Sequence, residues 1–287
     1  MNLQPAALLW LAERRPAIVV EVAEHRGSVP RETGTRMLVA AEQVLGTIGG
    51  GHLELKAIAD ARAMLKGEPV ATEQAIALGP TLGQCCGGAL TLRFTPLADS
   101  RPALWDAAPP RFTLQLYGAG HVGRAIVKLL EGIACRVQWI DEREGEFPVE
   151  PSAAHIERLC VEPVEAEVAH AAPGSCFLVL THSHDLDLRI TEAVLRRGDF
   201  AYLGLIGSKT KRARFLHRFE ARGVAPAALA RLTCPIGVPG IVGKEPEVLA
   251  VAVVAQLLGL GSAAAAAPAQ APAAMRRSAV VSSTCTE

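Results

Sequence analysis

Apolar positions follow one rhythm up to about residue 97 and another after about residue 112. In the first part a helix over 3–13 precedes an apolar strand, Ala17–Val22, and a polar Gly/Pro segment. Met37–Ala41 and Val44–Ile48 can pair across a short turn, a helix follows over 53–66, and two more strands, Thr72–Leu78 and Ala89–Thr95, flank a Gly/Cys segment. That order predicts a small α+β domain over 1–98 with a mostly antiparallel sheet. In the second part the runs Phe112–Tyr117, Cys135–Ile140, Cys176–Leu180 and Tyr202–Ile206 read as strands, with a helix over 122–131 and another helical segment before the last run. Strands alternating with helices predict a parallel sheet covered on both faces, a doubly wound, Rossmann-like α/β domain over 112–260. Pro102, Pro109 and Pro110 punctuate a patternless linker at 99–111, and the Ala/Pro/Ser-rich residues 261–287 predict a disordered tail. Val248–Leu260 is almost wholly apolar but shorter than the roughly 20 residues of a membrane span, so it reads as a buried helix.

Composition narrows the function classes. Half of the 287 residues are hydrophobic, 20% are charged, and Lys plus Arg balances Asp plus Glu at 29 each. Neither a basic nucleic-acid footprint nor an aromatic base-stacking surface is implied, since only 4% of residues are aromatic. The first residues lack the pattern of a secretory signal, and the seven cysteines are odd in number with no C-x-x-C, so a cytoplasmic protein with reduced thiols is expected.

Five segments could carry chemistry. Gly118-Ala119-Gly120-His121-Val122-Gly123 follows a strand and opens a helix, with Asp141 ending the next strand. Glycines there allow a tight turn and close approach to a pyrophosphate, and the acid can hold a ribose; the competing reading is helix-to-strand packing alone. Gln84-Cys85-Cys86-Gly87 offers two soft ligands in a glycine-flanked turn, against the alternative of two buried small hydrophobes. Gly49, Gly50 and Gly51 open a helix whose free N–H groups could receive a phosphate, unless Glu54 already serves that positive end. Thr181-His182-Ser183-His184-Asp185 follows a parallel strand at the ligand-bearing edge of the sheet, where His182 and His184 would line a cleft more readily than a zinc site. Gly207-Ser208-Lys209-Thr210-Lys211-Arg212 places cations at a helix start, which calls for an anion or free solvent access; the solvated basic face is the preferred reading. No G-x-S-x-G elbow or Walker loop is present, which removes serine-hydrolase and P-loop readings.

Taken in order, these segments together with Cys234-Pro235-Ile236-Gly237 resemble the XdhC/CoxI family of molybdoenzyme maturation factors over about residues 17–258, the double-cysteine turn being the most specific piece. The resemblance implies an N-terminal XdhC/CoxI domain and a C-terminal Rossmann domain. It also implies a chaperone that binds the molybdenum cofactor (molybdopterin), keeps it available for sulfuration with a cysteine desulfurase, and delivers it to xanthine dehydrogenase. Cys85 and Cys86 fall on the family's cysteine motif and would face molybdenum or the incoming sulfur; Gly118, Gly120 and Gly123 fall on its dinucleotide fingerprint. Val238-Pro239-Gly240 and Gln256 depart from the family pattern near the end. A homo-oligomer without turnover of its own is expected, with no nucleic-acid or membrane partner and with the ligand near an interdomain cleft. The alternative from another class is an oxidoreductase binding NAD or a related nucleotide on Gly118–Gly123, with His121, His182 or His184 as proton donor. A thiol redox sensor is a third option.

Overall fold

The computed structural model describes residues 3–78, 88–105 and 110–266, which form two compact units. One comprises the chain up to Pro110 with residues 132–134; the other comprises Arg111–Glu131 and the chain from Cys135 onward.

In the first unit, α1 (Gln4–Ala12) leads into β1 (Ala17–Arg26), β2 (Arg36–Ala40), β3 (Val44–Gly46), α2 (Gly51–Leu65), β4 (Glu73–Ala77) and β5 (Ala89–Pro96). The strands form one antiparallel sheet in the order β3-β2-β1-β5-β4. Strand alternation sends Ile18, Val20 and Val22 toward Leu53, Ala57 and Ala61 of α2, while Ala17 and Val19 join Ala7 and Trp10 of α1. The apolar run predicts a strand ending at Val22, but β1 continues to Arg26. The register shifts between Val22 and Glu24, a bulge, and Glu24, His25 and Arg26 then pair with Thr91, Leu90 and Ala89. Leu97–Asp99 and Pro102–Leu104 form short 3₁₀ turns with Leu97 and Pro102 buried, so the first part of the expected linker is structured.

The second unit runs β6 (Thr113–Tyr117), α3 (His121–Leu130), β7 (Arg136–Asp141), β8 (Ile156–Cys160), β9 (Cys176–Val179), α4 (His184–Arg197), β10 (Tyr202–Leu205), α5 (Lys209–Ala221), α6 (Pro226–Leu229), β11 (Leu232–Thr233) and α7 (Pro246–Ala266). Its six strands are all parallel in the order β11-β10-β9-β6-β7-β8. Counted within the unit, this is the doubly wound dinucleotide-binding order 3-2-1-4-5-6. Tyr117, Phe177, Val179, Leu203 and Leu205 share a core with Leu186, Ile190 and Val194 of α4 and with Phe215 and Phe219 of α5. Helices α3 and α7 pack together, with Ile126, Leu130, Val253 and Leu257 buried.

Two strands exceed the four expected. β8 is an edge strand with one buried residue, Ile156, and β11 has two residues. The apolar run 248–260 lies within α7, which stays helical to Ala266 and so enters the stretch expected to be disordered from 261. Among the described residues, no helix is long and apolar enough to cross a membrane.

Candidate functional site

In this strand order the chain leaves β6 and β9, neighbours in the sheet, toward opposite sides, and ligands of open α/β sheets bind at the carboxyl ends of such a pair. The fingerprint Gly118–Gly123 follows β6, and Thr181–Asp185 follows β9. The three glycines have separate tasks. Gly118 has φ +123°, and a methyl group there would lie 2.3 Å from the Leu180 carbonyl oxygen. At Gly123 a methyl would lie 2.1 Å from the Gly118 oxygen, so this glycine serves close packing of α3 on β6. At Gly120 it would meet nothing within 4 Å. Gly120 is the N-cap of α3, no side chain caps that end, and no acid stands in its first turn. Without a side-chain cap, the first N–H groups of such a helix can receive an anion. His121 is exposed beside them.

Asp141 stands where a ribose-binding acid is expected, yet its carboxylate is fully engaged. Oδ2 accepts from Ala119 N at 2.7 Å and from an Arg143 terminal nitrogen at 3.0 Å; Oδ1 accepts from Arg143 N and Nε, both at 3.0 Å. Those four bonds fill the roughly four acceptor positions of a carboxylate, leaving none for ribose hydroxyls. Burial pushes the Asp141 carboxyl up, but the Arg143 fork and the two backbone N–H groups outweigh it and hold the group below its ordinary value. Arg143 also reaches Glu146 at 3.3 Å, and Arg124 of α3 closes the ring by donating to Glu146 and to the Ala119 oxygen. His182 Nε2 stands 3.6 Å from Glu142 Oε1, and the crevice between Gly118, Asp141, Thr181 and His182 has no room for a water molecule. In this structure the acid anchors the glycine turn.

The open space lies one strand further along. A cleft of about 540 Å³ separates the segments that follow β9 and β10, lined by Thr181, His182 and His184 on one side and by Ser208, Arg214 and Arg218 on the other. Beneath it, Asp187 accepts from Thr181 N (3.0 Å) and Oγ1 (2.8 Å) and pairs with Lys211 Nζ at 2.5 Å, the two side chains being 1% and 12% exposed. Lys211 also donates to the Ile206 oxygen, and a methyl at Gly207 would strike its Cδ at 2.6 Å. The preferred reading of this segment as a solvated basic face fails for Lys211, which is folded into a buried ion pair. Ser183 and Ser208 cap α4 and α5, accepting from Leu186 N and Lys211 N.

The remaining expected residues lie elsewhere. Gly49, Gly50 and Gly51 all have positive φ and start α2, but Glu54 Oε2 accepts from Ile48 N, Gly50 N and Thr47 Oγ1, and Thr47 takes Gly49 N. The protein's own carboxylate serves this helix start, so the expected phosphate seat is already taken in part. Burial raises the Glu54 pKa, but hydrogen bonds from Thr47, Ile48, Gly50 and Gly49 bring it below its ordinary value. Cys85 and Cys86 lie outside the described residues. Among the described residues, no group of three or more His, Cys, Asp or Glu could hold a metal ion. Sequence reasoning missed Arg143, Arg124, Glu146, Arg214 and Arg218. The signals available were an arginine two residues beyond the acid and two arginines four apart on the helix that opens with Ser208.

Comparison with known proteins gives a consistent result. The E. coli K12 protein YqeB, described as uncharacterized, is 29% identical over 269 residues, covering 90% of this chain and 46% of that protein. The chain thus spans less than half the length of this curated relative. A crystal structure from Bacillus halodurans, described as that of a xanthine dehydrogenase, matches with a TM-score of 0.68 at 18% identity over 95% of this chain and 98% of that one, a likeness of fold. The model of the XdhC and CoxI family matches residues 10–74, and that of the XdhC Rossmann domain matches residues 114–257. With half of its length matched by the Rossmann model alone, this chain belongs to the XdhC and CoxI family.

Proposed function

We propose that this chain is a maturation factor for xanthine dehydrogenase that holds the molybdenum cofactor for sulfuration and hands it on. The observation that carries this reading is the fingerprint of the family-matched Rossmann domain, where Gly120 opens onto free space at an uncapped helix start. Such a start suits a negatively polarised oxygen of a pterin cofactor. In this reading Gly118 shapes the turn, the N–H groups beyond Gly120 take an oxygen of the cofactor, and His121, His182 and His184 border the bound molecule. Cys85 and Cys86 supply the soft donors that suit molybdenum and sulfur chemistry. When bound, the cofactor supplies the metal centre at which oxygen gives way to sulfur, while the protein binds, orients and releases it. A cysteine desulfurase, xanthine dehydrogenase and a second copy of this chain are the partners that belong to this proposal, in the cytoplasm.

The deciding measurement is the mass and fluorescence of the small molecule released when freshly purified protein is denatured. A molybdopterin species supports the proposal; its absence from protein produced alongside an active dehydrogenase overturns it. Replacing Cys85 and Cys86 by Ser should lower cofactor retention and activation of apo-dehydrogenase, and unchanged values in a folded protein would reject the thiol role. The strand order favours a second reading, an oxidoreductase using NAD or a related nucleotide, and the engagement of Asp141 by Arg143 weighs against it. Tight NAD binding with hydride transfer would reverse that preference.

A further inference from the structure

We propose that the cleft beyond β9 and β10 is a binding site for a phosphate monoester, held by Arg214 and Arg218 of α5, and that the charged end of the ligand lies there and not at Asp141. The inference deepens the cofactor-holding reading, on which it rests only for the identity of the phosphate's bearer.

The cleft is large enough for a heterocycle with a phosphate arm, since about 540 Å³ falls inside the ~300–1,000 Å³ usual for small-molecule sites. Thr210, Arg214 and Arg218 are spaced four residues apart on α5, hence on one face, and all three line the cleft. Arg214 makes no hydrogen bond or ion pair among the described residues. The nearest acid to Arg218, Asp185, stands 3.9 Å away with its side chain 85% exposed. The other acid at the cleft, Asp187, is committed to Lys211 and Thr181. The first turn of α5 contains Lys209 and Lys211 and no acid, although the positive end of a helix dipole favours negative charge there. Two guanidinium groups one turn apart repel each other unless an anion sits between them, and their planar forks match the oxygen pairs of a phosphate. The crevice beside Asp141 offers no comparable room, and its acceptor positions are filled.

The test uses the full chain, freed of any bound small molecule, in a fluorescence titration at low ionic strength with 6-hydroxymethylpterin and its phosphate ester. The ester should bind about tenfold or more tightly than the alcohol, and inorganic phosphate should displace it. R214Q with R218Q should erase about tenfold of that preference, R214K with R218K should restore part of it, and K128Q on α3 should leave it unchanged. The substituted side chains are exposed, so thermal unfolding should stay within a degree or two of the parent, about the effect of a surface change. Equal affinity for ester and alcohol, or full ester affinity in R214Q/R218Q, would overturn the site. Those results are separable from the parent reading. Loss of ester binding in R214Q/R218Q with no pterin in the purified protein keeps the anion site and removes the cofactor function, and the opposite pair of results does the reverse.

Discussion

At the scale of single residues, Arg143 decides what the fingerprint can accept. Its guanidinium closes both oxygens of Asp141, so R143Q should reopen acceptor positions and raise NAD affinity about tenfold, as calorimetry on the folded variant would read. The same pair sets an acid sensitivity. Because the folded pKa of Asp141 is depressed, its contribution to stability is fully present above the ordinary value of 3.8 and is lost as pH falls below it through the folded pKa. D141N should therefore unfold at lower urea concentration than the parent at pH 7 and lose less further stability on acidification, and parallel acid limbs would contradict this. The glycines separate in the same way. G123A must push a methyl into the Gly118 oxygen and should cost about 1–3 kcal/mol. G120A has a negative φ and open surroundings, so urea unfolding should barely change while retention of the bound small molecule falls.

At the scale of elements, Asp187 on α4 and Lys211 on α5 tie the loops after β9 and β10 together beneath the cleft. K211M leaves a buried carboxylate with hydroxyl and amide donors but no counter-charge, an imbalance of about 3–5 kcal/mol, and adding D187N should recover most of it. Chemical denaturation of the three proteins measures this, and a K211M loss no larger than that of the double variant would refute the pairing. These two residues also show what a sequence leaves hidden. Strands β1, β6, β7, β9 and β10 are legible because each carries a run of apolar residues, and the glycine turn is legible because strand, helix and acid agree around it. β8 escapes notice since Ile156 is its one buried residue, and the bulged end of β1 is polar and exposed. The partnership of Asp187 with Lys211, and the quenching of Asp141 by Arg143, depend on which way side chains turn. Periodicity and spacing carry no information on that, so Asp141 reads as a ribose acceptor and Lys211 as part of a solvated basic face, when both charges are already paired. Cys85 and Cys86 are legible as a motif and lie outside the described residues.

At the scale of the whole molecule, each unit has a core of its own. Ile18, Val20 and Phe94 pack with α2 in the first, and Phe177, Leu203 and Leu205 pack with α4 and α5 in the second. Leu203 is fully buried in the middle of the parallel sheet, paired to Phe177 on one side and Leu232 on the other. Leu203→Ala should remove about 2–5 kcal/mol from the second unit, and Val20→Ala somewhat less from the first, because truncating a buried side chain costs transfer free energy plus the cavity left behind. If the cores are energetically separate, calorimetry should show two transitions, with L203A lowering one and V20A the other, and the phosphate-ester affinity of the cleft should follow the transition lowered by L203A. One transition lowered equally by both substitutions would mean that the chain unfolds as a single cooperative body. The cleft would then open and close with the whole protein, and its affinity would respond to V20A as strongly as to L203A.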